Sequence, residues 1–351
     1  MDLKTLGWNQ QFENEFESYK QESYSVGRVA LEHKHMYRVL TESGEVLAEI
    51  SGKFQYNAAG RGAYPAVGDW VVLSVRIEEG KATIHHVLPR KSKFSRNIAG
   101  ATTEEQIVAA NVDTVFIVAA LNADFNVRRI ERYLLMALES GANPVIILSK
   151  ADLCQDIDEK IQETESVAIG VPIHVVSAEQ NSGLEALSAY INEGKTIALL
   201  GSSGVGKSTL VNTFTGKATL KTAGTREDDD RGRHTTTHRE LVVLDQGGIL
   251  IDTPGMRELQ LWESETGLSQ GFSDIEEFTS RCKFRDCTHN GEPGCAVRKA
   301  IEEGELDAER YKSYLKLQKE LAYLERKEDK QLAQAQKDKW KKVTMGQRKK
   351  R

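Results

Sequence analysis

A glycine-rich segment at residues 201–208 has the residue types and spacing of a phosphate-binding loop. It reads GSSGVGKS, matches the pattern GxxxxGK[ST], and lies between the apolar run TIALL and the helical pattern KSTLVNTF. Glycines let backbone N–H groups converge on phosphate oxygens at a helix N-terminus, while the lysine supplies positive charge and the last serine a hydroxyl for Mg²⁺. The flanking strand and helix favour nucleotide binding over a chance glycine-rich turn. The predicted phosphate-binding residues are Gly201, Ser202, Ser203, Gly204, Val205, Gly206, Lys207, Ser208 and Thr209.

A second candidate element on the phosphate side is Asp252-Thr-Pro-Gly255, which follows the apolar run GILI. A carboxylate at the end of a strand can hold the water shell of Mg²⁺, and a glycine N–H can reach the γ-phosphate. The tetrapeptide alone is more often a turn, but the upstream loop favours the functional interpretation. Between the two lies RGRHTTT at residues 231–237, a stretch that by itself is more often a solvated loop. One of its threonines, taken as Thr236, would complete the magnesium coordination by Ser208 and Asp252.

Two short polar segments earlier in the chain are candidates for base selection. The apolar run VIIL ends in SKAD, and the run IHVV ends in SA. An aspartate at such a strand end accepts hydrogen bonds from the N1–H and the 2-amino group of guanine, and adenine lacks that amino group. The two segments SKAD and SA together predict that the protein binds a guanine nucleotide. The alternative is an ATPase or a kinase, because phosphate loops bind ATP and GTP alike. The predicted base-binding residues are Ser149, Lys150, Ala151, Asp152, Ser177 and Ala178.

Three cysteines and a histidine near the C-terminus have the composition of a metal site. Cys282, Cys287, His289 and Cys295 fall within fourteen positions. Three thiolates and one imidazole form the ligand set of a closed structural Zn²⁺ site, and four protein ligands leave no open position for catalysis. The alternative is a chance cluster of reduced cysteines. We predict one structural zinc ion that supplies folding free energy to a segment too polar to build its own core, and we read Cys154 as an ordinary thiol.

The elements that must position these residues follow from the apolar pattern. Residues 24–98 alternate in about five short β-like runs with turn-rich breaks, which predicts a small OB-like barrel. From about residue 111, unbroken apolar strands alternate with helical stretches, which is typical of a parallel sheet covered by helices. Beyond residue 275 the pattern predicts the cysteine segment and a charged helix. We predict three domains: the barrel at 1–100, a phosphate-loop core at 101–275, and a zinc-plus-helix domain at 276–351.

Composition and charge limit the class of protein. The chain has 351 residues, of which 39% are hydrophobic and 28% charged, and it lacks the apolar run of about 18 residues that crosses a bilayer. Its first residues are polar and acidic, unlike a secretory signal, so we expect a cytoplasmic protein without membrane association. The net charge of −5 conceals a basic tail, because residues 326–351 carry +8 and the rest of the chain −13. Such a tail suits contact with a polyanion, although solvated charged termini are common.

The order of the motifs carries the family resemblance. GxxxxGKS, DTPG, [NT]KxD and SA form the motif set of the translation-factor class of GTPases, in which the phosphate loop comes first. Here SKAD and SAE precede GSSGVGKS, RGRHTTT and DTPG. This inverted order resembles the circularly permuted GTPases. Together with PAVGDWV, LPRKSKFSR and the cysteine cluster, it makes the chain similar to the bacterial RsgA (YjeQ) family over nearly its whole length.

The resemblance implies a multidomain protein: an OB barrel, a circularly permuted α/β GTPase core and a small zinc-binding α domain. It implies hydrolysis of GTP to GDP with Mg²⁺, stimulated by the small (30S) ribosomal subunit late in its maturation. Release from the subunit and its 16S rRNA would be coupled to hydrolysis. We expect the chain to act as a monomer. The alternative from another class is a nucleic-acid-binding module whose nucleotide site only stabilises the fold.

Two residues depart from the usual GTPase pattern. Ser149 stands where the family and most GTPases have Asn or Thr; a serine can still hydrogen-bond to the phosphate loop, but with shorter reach, so we expect guanine preference through Asp152 with looser affinity. Met256 stands where many GTPases place a glutamine that orients the attacking water. The family pattern expects a hydrophobic residue there and suggests His234 as the catalytic group. The alternative is that His234 is packed or solvated.

Overall fold

The computed structural model describes residues 1–22, 24–33, 36–98, 104–216, 240–245, 247–252, 271–319 and 321–322. The chain divides into two compact units. The first, here called the barrel–core unit, consists of Met1–Arg96 and Glu105–Gln260; the second, the C-terminal unit, consists of Asn97–Glu104 and Leu261–Arg351. The barrel and the phosphate-loop core thus share one unit, and the three-domain division at residues 100 and 275 stays a prediction.

Five strands close into a barrel in the N-terminal part of the first unit. Hydrogen bonds join them in the order β1-β2-β3-β5-β4, and β4 returns to β1. Strands β3 and β5 are parallel, whereas the other pairs are antiparallel. Alternating apolar side chains fill the interior, as period-two patterning requires. This confirms the predicted five-stranded barrel. The strands are β1 Ser25–His33, β2 Met36–Thr41, β3 Gly44–Ile50, β4 Trp70–Arg76 and β5 Lys81–Val87.

Two short helices in this part of the chain were not predicted. Helix α1, Gln10–Phe16, begins after Asn9, whose side chain accepts hydrogen bonds from two backbone N–H groups of the first turn. Helix α2, Gly52–Asn57, begins after Ser51, whose hydroxyl accepts one hydrogen bond, from the Phe54 N–H. Both were missed because each is too short for a helical period to show in the sequence.

A buried arginine ties distant parts of the first unit together. Arg28, in β1, is 1% exposed. Its guanidinium donates to the carbonyl oxygens of Leu6 at 2.5 Å, of Gly68 at 3.2 Å and of Asn111 at 3.2 Å. Burial lowers the pKa of Arg28 to about 10, partly offset by the charges of nearby carboxylates, so the group stays charged at neutral pH. The N-terminal segment, the barrel and the loop that precedes the core are therefore held by one cation.

The α/β core follows a two-stranded connection, β6 Lys93–Ile98 and β7 Glu104–Ala110. Its six strands lie in the order β10-β9-β8-β11-β13-β12. All neighbours are parallel except β12 and β13, which pair antiparallel. Strand β12 also pairs with barrel strand β1, so the sheet runs through both parts. The strands are β8 Thr114–Ala120, β9 Asn143–Ser149, β10 Ile173–Val175, β11 Thr196–Leu200, β12 Glu240–Val243 and β13 Ile249–Asp252.

Helices α3 Val127–Ser140, α4 Ile157–Glu165 and α5 Lys207–Thr215 belong to the core. Helix α3 ends at Gly141, which has a φ of 83° and serves as its C-cap. The segment Glu185–Tyr190 forms a short 3-10 helix. Strand β11 lies in the middle of the core sheet although it comes fourth along the chain, so the phosphate loop that follows it is central.

The C-terminal unit contains α6 Ser273–Ser280, α7 Ala296–Glu302 and a helical segment at 308–319. Arg310 is 5% exposed. It donates two hydrogen bonds to the carboxylate of Asp274, at 2.9 and 2.8 Å, and its guanidinium lies 4.8 Å from the ring centroid of Phe272. Burial raises the pKa of Asp274, but the hydrogen bonds from Arg310 outweigh this and leave it below its ordinary value. This pair of a buried arginine and a half-buried aspartate joins the helical segment at 308–319 to α6.

Candidate functional site

The phosphate loop occupies the turn between β11 and α5. Gly201 has a φ of 152°, and a Cβ on it would lie 2.4 Å from the carbonyl oxygen of Val118 on the neighbouring strand. Gly206 precedes the helix with a φ of 99° and no side-chain cap. The first N–H groups of α5 are therefore left for a ligand, and a helix N-terminus favours an anion. Gly201 is thus required because the backbone lies close to the Val118 carbonyl. Gly206 is required because its backbone is left-handed.

Lys207 lies across this loop. Its ammonium donates to the carbonyl oxygens of Gly201 at 2.7 Å and Ser202 at 2.6 Å. These contacts hold the Lys207 ammonium beside the N-terminus of α5, where the phosphate oxygens of a nucleotide would bind. The site therefore has a fixed positive charge before a nucleotide binds, and the residues present fit a phosphate group.

Ser149, at the end of β9, contacts the phosphate loop directly. It is 4% exposed, and its hydroxyl lies 2.6 Å from the carbonyl oxygen of Val205 and 3.2 Å from that of Ala119. The shorter contact shows that a serine reaches the loop in this chain. Whether guanine affinity is looser, as expected from the sequence, stays a prediction.

Asp152 is oriented by the second base-selection segment. The Ser177 hydroxyl donates to a carboxylate oxygen of Asp152 at 2.5 Å, and the same hydroxyl accepts from the Gln180 N–H at 3.1 Å. Lys150 has a φ of 58°, which turns the chain out of β9. The Ala151 N–H then donates to the Val176 carbonyl at 3.2 Å. SKAD and SA therefore form one structure, in which Ser177 fixes the carboxylate that would read the base.

The structure brings together the residues at the carboxyl ends of β9, β10 and β11, because parallel strands present those ends at one edge of the sheet. The Ser208 and Thr209 side chains belong to the first turn of α5, and Ser203 and Gly204 form the exposed tip of the loop. Asp252 is the last residue of β13. His234, Thr236, Gly255 and Met256 lie outside the described residues, so their assignments stay predictions.

Two residues that no motif indicated also contact the phosphate loop. Arg129, in the first turn of α3, donates to the Ser202 hydroxyl at 3.0 Å and to the Asp124 carboxylate at 2.7 and 3.2 Å. The hydrogen bond from Arg129 lowers the pKa of Asp124, and the charge of Lys150 contributes to the same shift. Both residues follow β8, which is the neighbour of β11 in the sheet. The order of the strands would have located them, but the sequence does not reveal that order.

We predict that Ser149→Ala weakens nucleotide binding. The change leaves the buried Val205 carbonyl without its donor, which costs about 1–3 kcal/mol. We therefore expect the Kd for GDP to rise about tenfold, measured by fluorescence titration with a labelled nucleotide. Ser149→Thr keeps the hydroxyl and should restore most of the affinity. The control is Ser166→Ala, which removes an exposed serine hydroxyl that donates to Glu163; equal losses in the two alanine variants would contradict the prediction.

Arg129→Ala is expected to have a smaller effect on the same Kd. The Arg129–Asp124 pair is exposed to solvent, where ion pairs contribute little, so we expect a rise of about threefold. Arg129→Lys should recover only part of the affinity, because lysine cannot bridge a hydroxyl and a carboxylate with a planar fork. Arg76→Ala removes the Arg76–Glu79 pair of the barrel and serves as control. No change in Arg129→Ala would show that this arginine does not position the loop.

The candidate metal centre lies in the C-terminal unit. The ligand atoms of Cys282, Cys287, His289 and Cys295 all lie within 4.8 Å of one another. The His289 Nδ1 lies 3.6 Å from the Cys282 Sγ and 3.4 Å from the Cys295 Sγ. Tetrahedral zinc with ligands at about 2.1–2.3 Å gives ligand-to-ligand distances of about 3.4–3.8 Å. The predicted ligands are therefore together, and the two distances from the His289 Nδ1 fit a single zinc ion.

The surrounding chain fixes these ligands. Cys295 precedes α7, and its Sγ accepts from the Arg298 N–H at 3.5 Å. The turn that carries His289, which has a φ of 60°, is closed by Glu292 through hydrogen bonds from the N–H groups of Thr288 and Asn290, each at 2.9 Å. These bonds, with one from the Thr288 hydroxyl as the largest cause, lower the pKa of Glu292 to about 2. A carboxylate thus orders the ligand turn.

Comparison with known proteins agrees with this architecture. A family model described as RsgA GTPase matches residues 87–262. The chain is 50% identical over 327 residues to the small ribosomal subunit biogenesis GTPase RsgA 1 of Oceanobacillus iheyensis, covering 93% of each protein. The solved structure of YjeQ from Thermotoga maritima has a TM-score of 0.62 and 31% identity, covering 85% of this chain and 99% of that one. YloQ, described as a circularly permuted GTPase, has a TM-score of 0.61 and 28% identity, covering 85% of this chain and 95% of that one.

A second family model, described as ABC transporter, matches residues 184–350. That range contains the phosphate loop but not the base-selection segments at 149–152 and 177–178, which the RsgA GTPase range includes. The fold and the site define a phosphate-loop nucleotide-binding protein whose core strands follow a circularly permuted order. The chain belongs to the RsgA GTPase family. The resemblance stated from the motifs is confirmed.

Proposed function

We propose that this protein hydrolyses GTP during biogenesis of the small ribosomal subunit, binds the subunit and its 16S rRNA in the GTP state, and leaves it on hydrolysis. GTP hydrolysis is the activity of the family to which the chain belongs. The main support for the proposal is the hydrogen bond that the Ser149 hydroxyl donates to the Val205 carbonyl oxygen at 2.6 Å. This bond links the base-selection segment to the phosphate loop. The relative from Oceanobacillus iheyensis supports the ribosomal part by its name.

In this proposal each predicted site residue has one task. The N–H groups of the phosphate loop and Lys207 hold the β- and γ-phosphates, Asp152 accepts from the guanine edge, and Ser177 orients that carboxylate. Ser208, Thr236 and Asp252 would hold Mg²⁺, which neutralises phosphate charge when bound. His234 would position the attacking water.

Zinc would have a structural role in the C-terminal unit, because all four ligands come from the protein. We further propose a monomer that acts in the cytoplasm. No helix among the described residues is long and apolar enough to cross a membrane.

The decisive experiment measures phosphate release from GTP and ATP by the purified protein, with and without small ribosomal subunits. We expect subunits to raise the turnover of GTP many-fold and to leave ATP unhydrolysed. Hydrolysis of ATP at a similar rate would overturn the guanine assignment. GTP hydrolysis without stimulation would overturn the ribosomal part alone. If subunits bind and leave equally well with Lys207→Ala, the nucleotide site only stabilises a nucleic-acid-binding module.

A further inference from the structure

Two cations meet at one serine of the phosphate loop. The Ser202 carbonyl oxygen accepts from the Lys207 ammonium at 2.6 Å, and the Ser202 hydroxyl accepts from the Arg129 guanidinium at 3.0 Å. Because both nitrogens contact atoms of the same residue, the two positive charges lie within about 10 Å of each other, which is the Debye length at 0.1 M salt. The charge of Arg129 is therefore close enough to act on a phosphate group that binds at Lys207.

Asp124 neutralises this second cation. Its carboxylate accepts from the two terminal nitrogens of Arg129 at 2.7 and 3.2 Å, and from the Ser202 hydroxyl at 3.3 Å. The three side chains form a closed set of contacts in which one negative charge stands against one positive charge. The same carboxylate interacts with the charge of Lys150 in the base-selection segment. Asp124 therefore limits the positive potential at both the phosphate side and the base side of the nucleotide site.

Local hydrogen bonds fix the backbone beside both members of the pair. The Asp124 N–H donates to the side-chain oxygen of Asn122 at 3.0 Å, and the Arg129 N–H donates to the side-chain oxygen of Asn126 at 3.1 Å. Asn126 is also the N-cap of α3. A substitution that changes only the charge of Asp124 or Arg129 is therefore expected to leave the start of α3 in place.

The charges of the two residues are expected to act unequally on GTP and GDP. GTP carries one more negative charge than GDP at neutral pH, so a positive charge beside the loop favours GTP more strongly and a negative charge disfavours it more strongly. Loss of the Arg129 charge leaves the Asp124 carboxylate uncompensated. Loss of the Asp124 charge leaves Arg129 and Lys150 uncompensated instead. The two changes should therefore have opposite effects, which a pair that only holds the loop in place would not show.

We propose that the Asp124–Arg129 pair sets how strongly this protein prefers GTP to GDP, with Arg129 as the cation that favours the γ-phosphate and Asp124 as the anion that limits this preference. The proposal deepens the proposed function and rests on it, because it takes GTP and GDP as the nucleotides bound by the phosphate loop. It assigns both residues a role in specificity that acts through charge, without contact to the reacting atoms.

The test measures the Kd for GDP and for the non-hydrolysable GTP analogue GMPPNP, each with Mg²⁺, by fluorescence titration of full-length variants. Arg129→Gln removes the positive charge and keeps a side-chain donor, so we expect the Kd to rise about twofold for GDP and about fivefold for GMPPNP. Asp124→Asn removes the negative charge at nearly constant shape, so both Kd values should fall, that for GMPPNP by the larger factor. The double variant restores the balance of charge, and its ratio of Kd values should return to that of the parent.

The Arg76–Glu79 pair of the barrel provides matched controls. Both side chains are exposed, and Arg76→Gln and Glu79→Gln make the same charge changes in the barrel rather than at the phosphate loop. Neither should alter the ratio of the two Kd values. Raising the salt concentration from about 0.05 to about 0.5 M should reduce the effects of Arg129→Gln and Asp124→Asn, because salt screens charges at exposed sites.

Opposite shifts of the Kd ratio in the two single variants, cancelled in the double variant, would support the proposal. If both single variants weaken binding, or shift the ratio in the same direction, the pair only holds the loop in place and the proposal is wrong. An unchanged ratio in both variants would overturn it as well. If the protein binds adenine nucleotides instead, the same ratio is measured with ADP and AMPPNP. Failure of the guanine assignment and failure of this proposal are therefore distinguishable.

Discussion

Replacing Lys207 by alanine is expected to abolish GTP hydrolysis while leaving the fold intact. The ammonium lies 2.7 and 2.6 Å from two carbonyl oxygens of the phosphate loop, beside the N-terminus of α5. Its place suits it to neutralise charge on the phosphates as it develops in the transition state. Removing one such donor costs about 10²–10³ in kcat, and the loss of ground-state contacts to the phosphates raises KM as well. The measurement is single-turnover phosphate release.

Lys195→Ala is the matched control for this experiment. Lys195 precedes the same strand, β11, at the end opposite to the phosphate loop, and its exposed ammonium lies 3.9 Å from Asp113. Its removal should change neither kcat nor KM. Without nucleotide, the melting temperatures of both variants should lie close to that of the parent. Hydrolysis by Lys207→Ala at more than about a tenth of the parental rate would show that the loop does not work as proposed.

Replacement of a candidate zinc ligand should unfold the C-terminal unit selectively. Cys287→Ser removes one of four ligand atoms that lie within 4.8 Å of one another. Structural zinc sites in small peptides contribute about 10–16 kcal/mol to folding, which exceeds what short helices such as α6 and α7 can supply by packing. We expect the bound zinc to fall from one ion per chain to nearly none, measured by elemental analysis. Helices α6 and α7 should become susceptible to limited proteolysis.

Cys154→Ser is the control, because it makes the same chemical change at a cysteine outside the cluster. It should retain one zinc ion and the parental proteolysis pattern. The phosphate loop belongs to the other unit, which has its own core, so GDP binding by Cys287→Ser should persist. Full zinc content in Cys287→Ser would contradict the ligand assignment. Zinc loss without proteolytic sensitivity would contradict its structural role.

The sequence alone determined the local chemistry of this protein. The phosphate loop, the segments SKAD and SA, and the cysteine cluster can each be recognised from residue types and spacing over a few positions. Period-two alternation likewise reports which residues of a strand are buried, so the five barrel strands were predictable. The inverted order of the motifs indicated the permuted core. From the sequence, the Ser149 side chain was expected to have a shorter reach toward the phosphate loop than Asn or Thr. Its contact with Val205 depends on how closely β9 approaches that loop, which the sequence does not show.

Tertiary structure decided which distant segments meet. The pairing of β1 with β12, the contact of Arg129 with Ser202 and the three carbonyls around Arg28 join residues that are far apart in the chain. The Asp69–Arg90 pair is buried in the fold, although no local pattern distinguishes it from a surface ion pair. The spacing of apolar residues along the chain indicates which side chains are buried, but not which residues they pack against. Partners are selected by sheet order and close packing, which only the folded chain specifies.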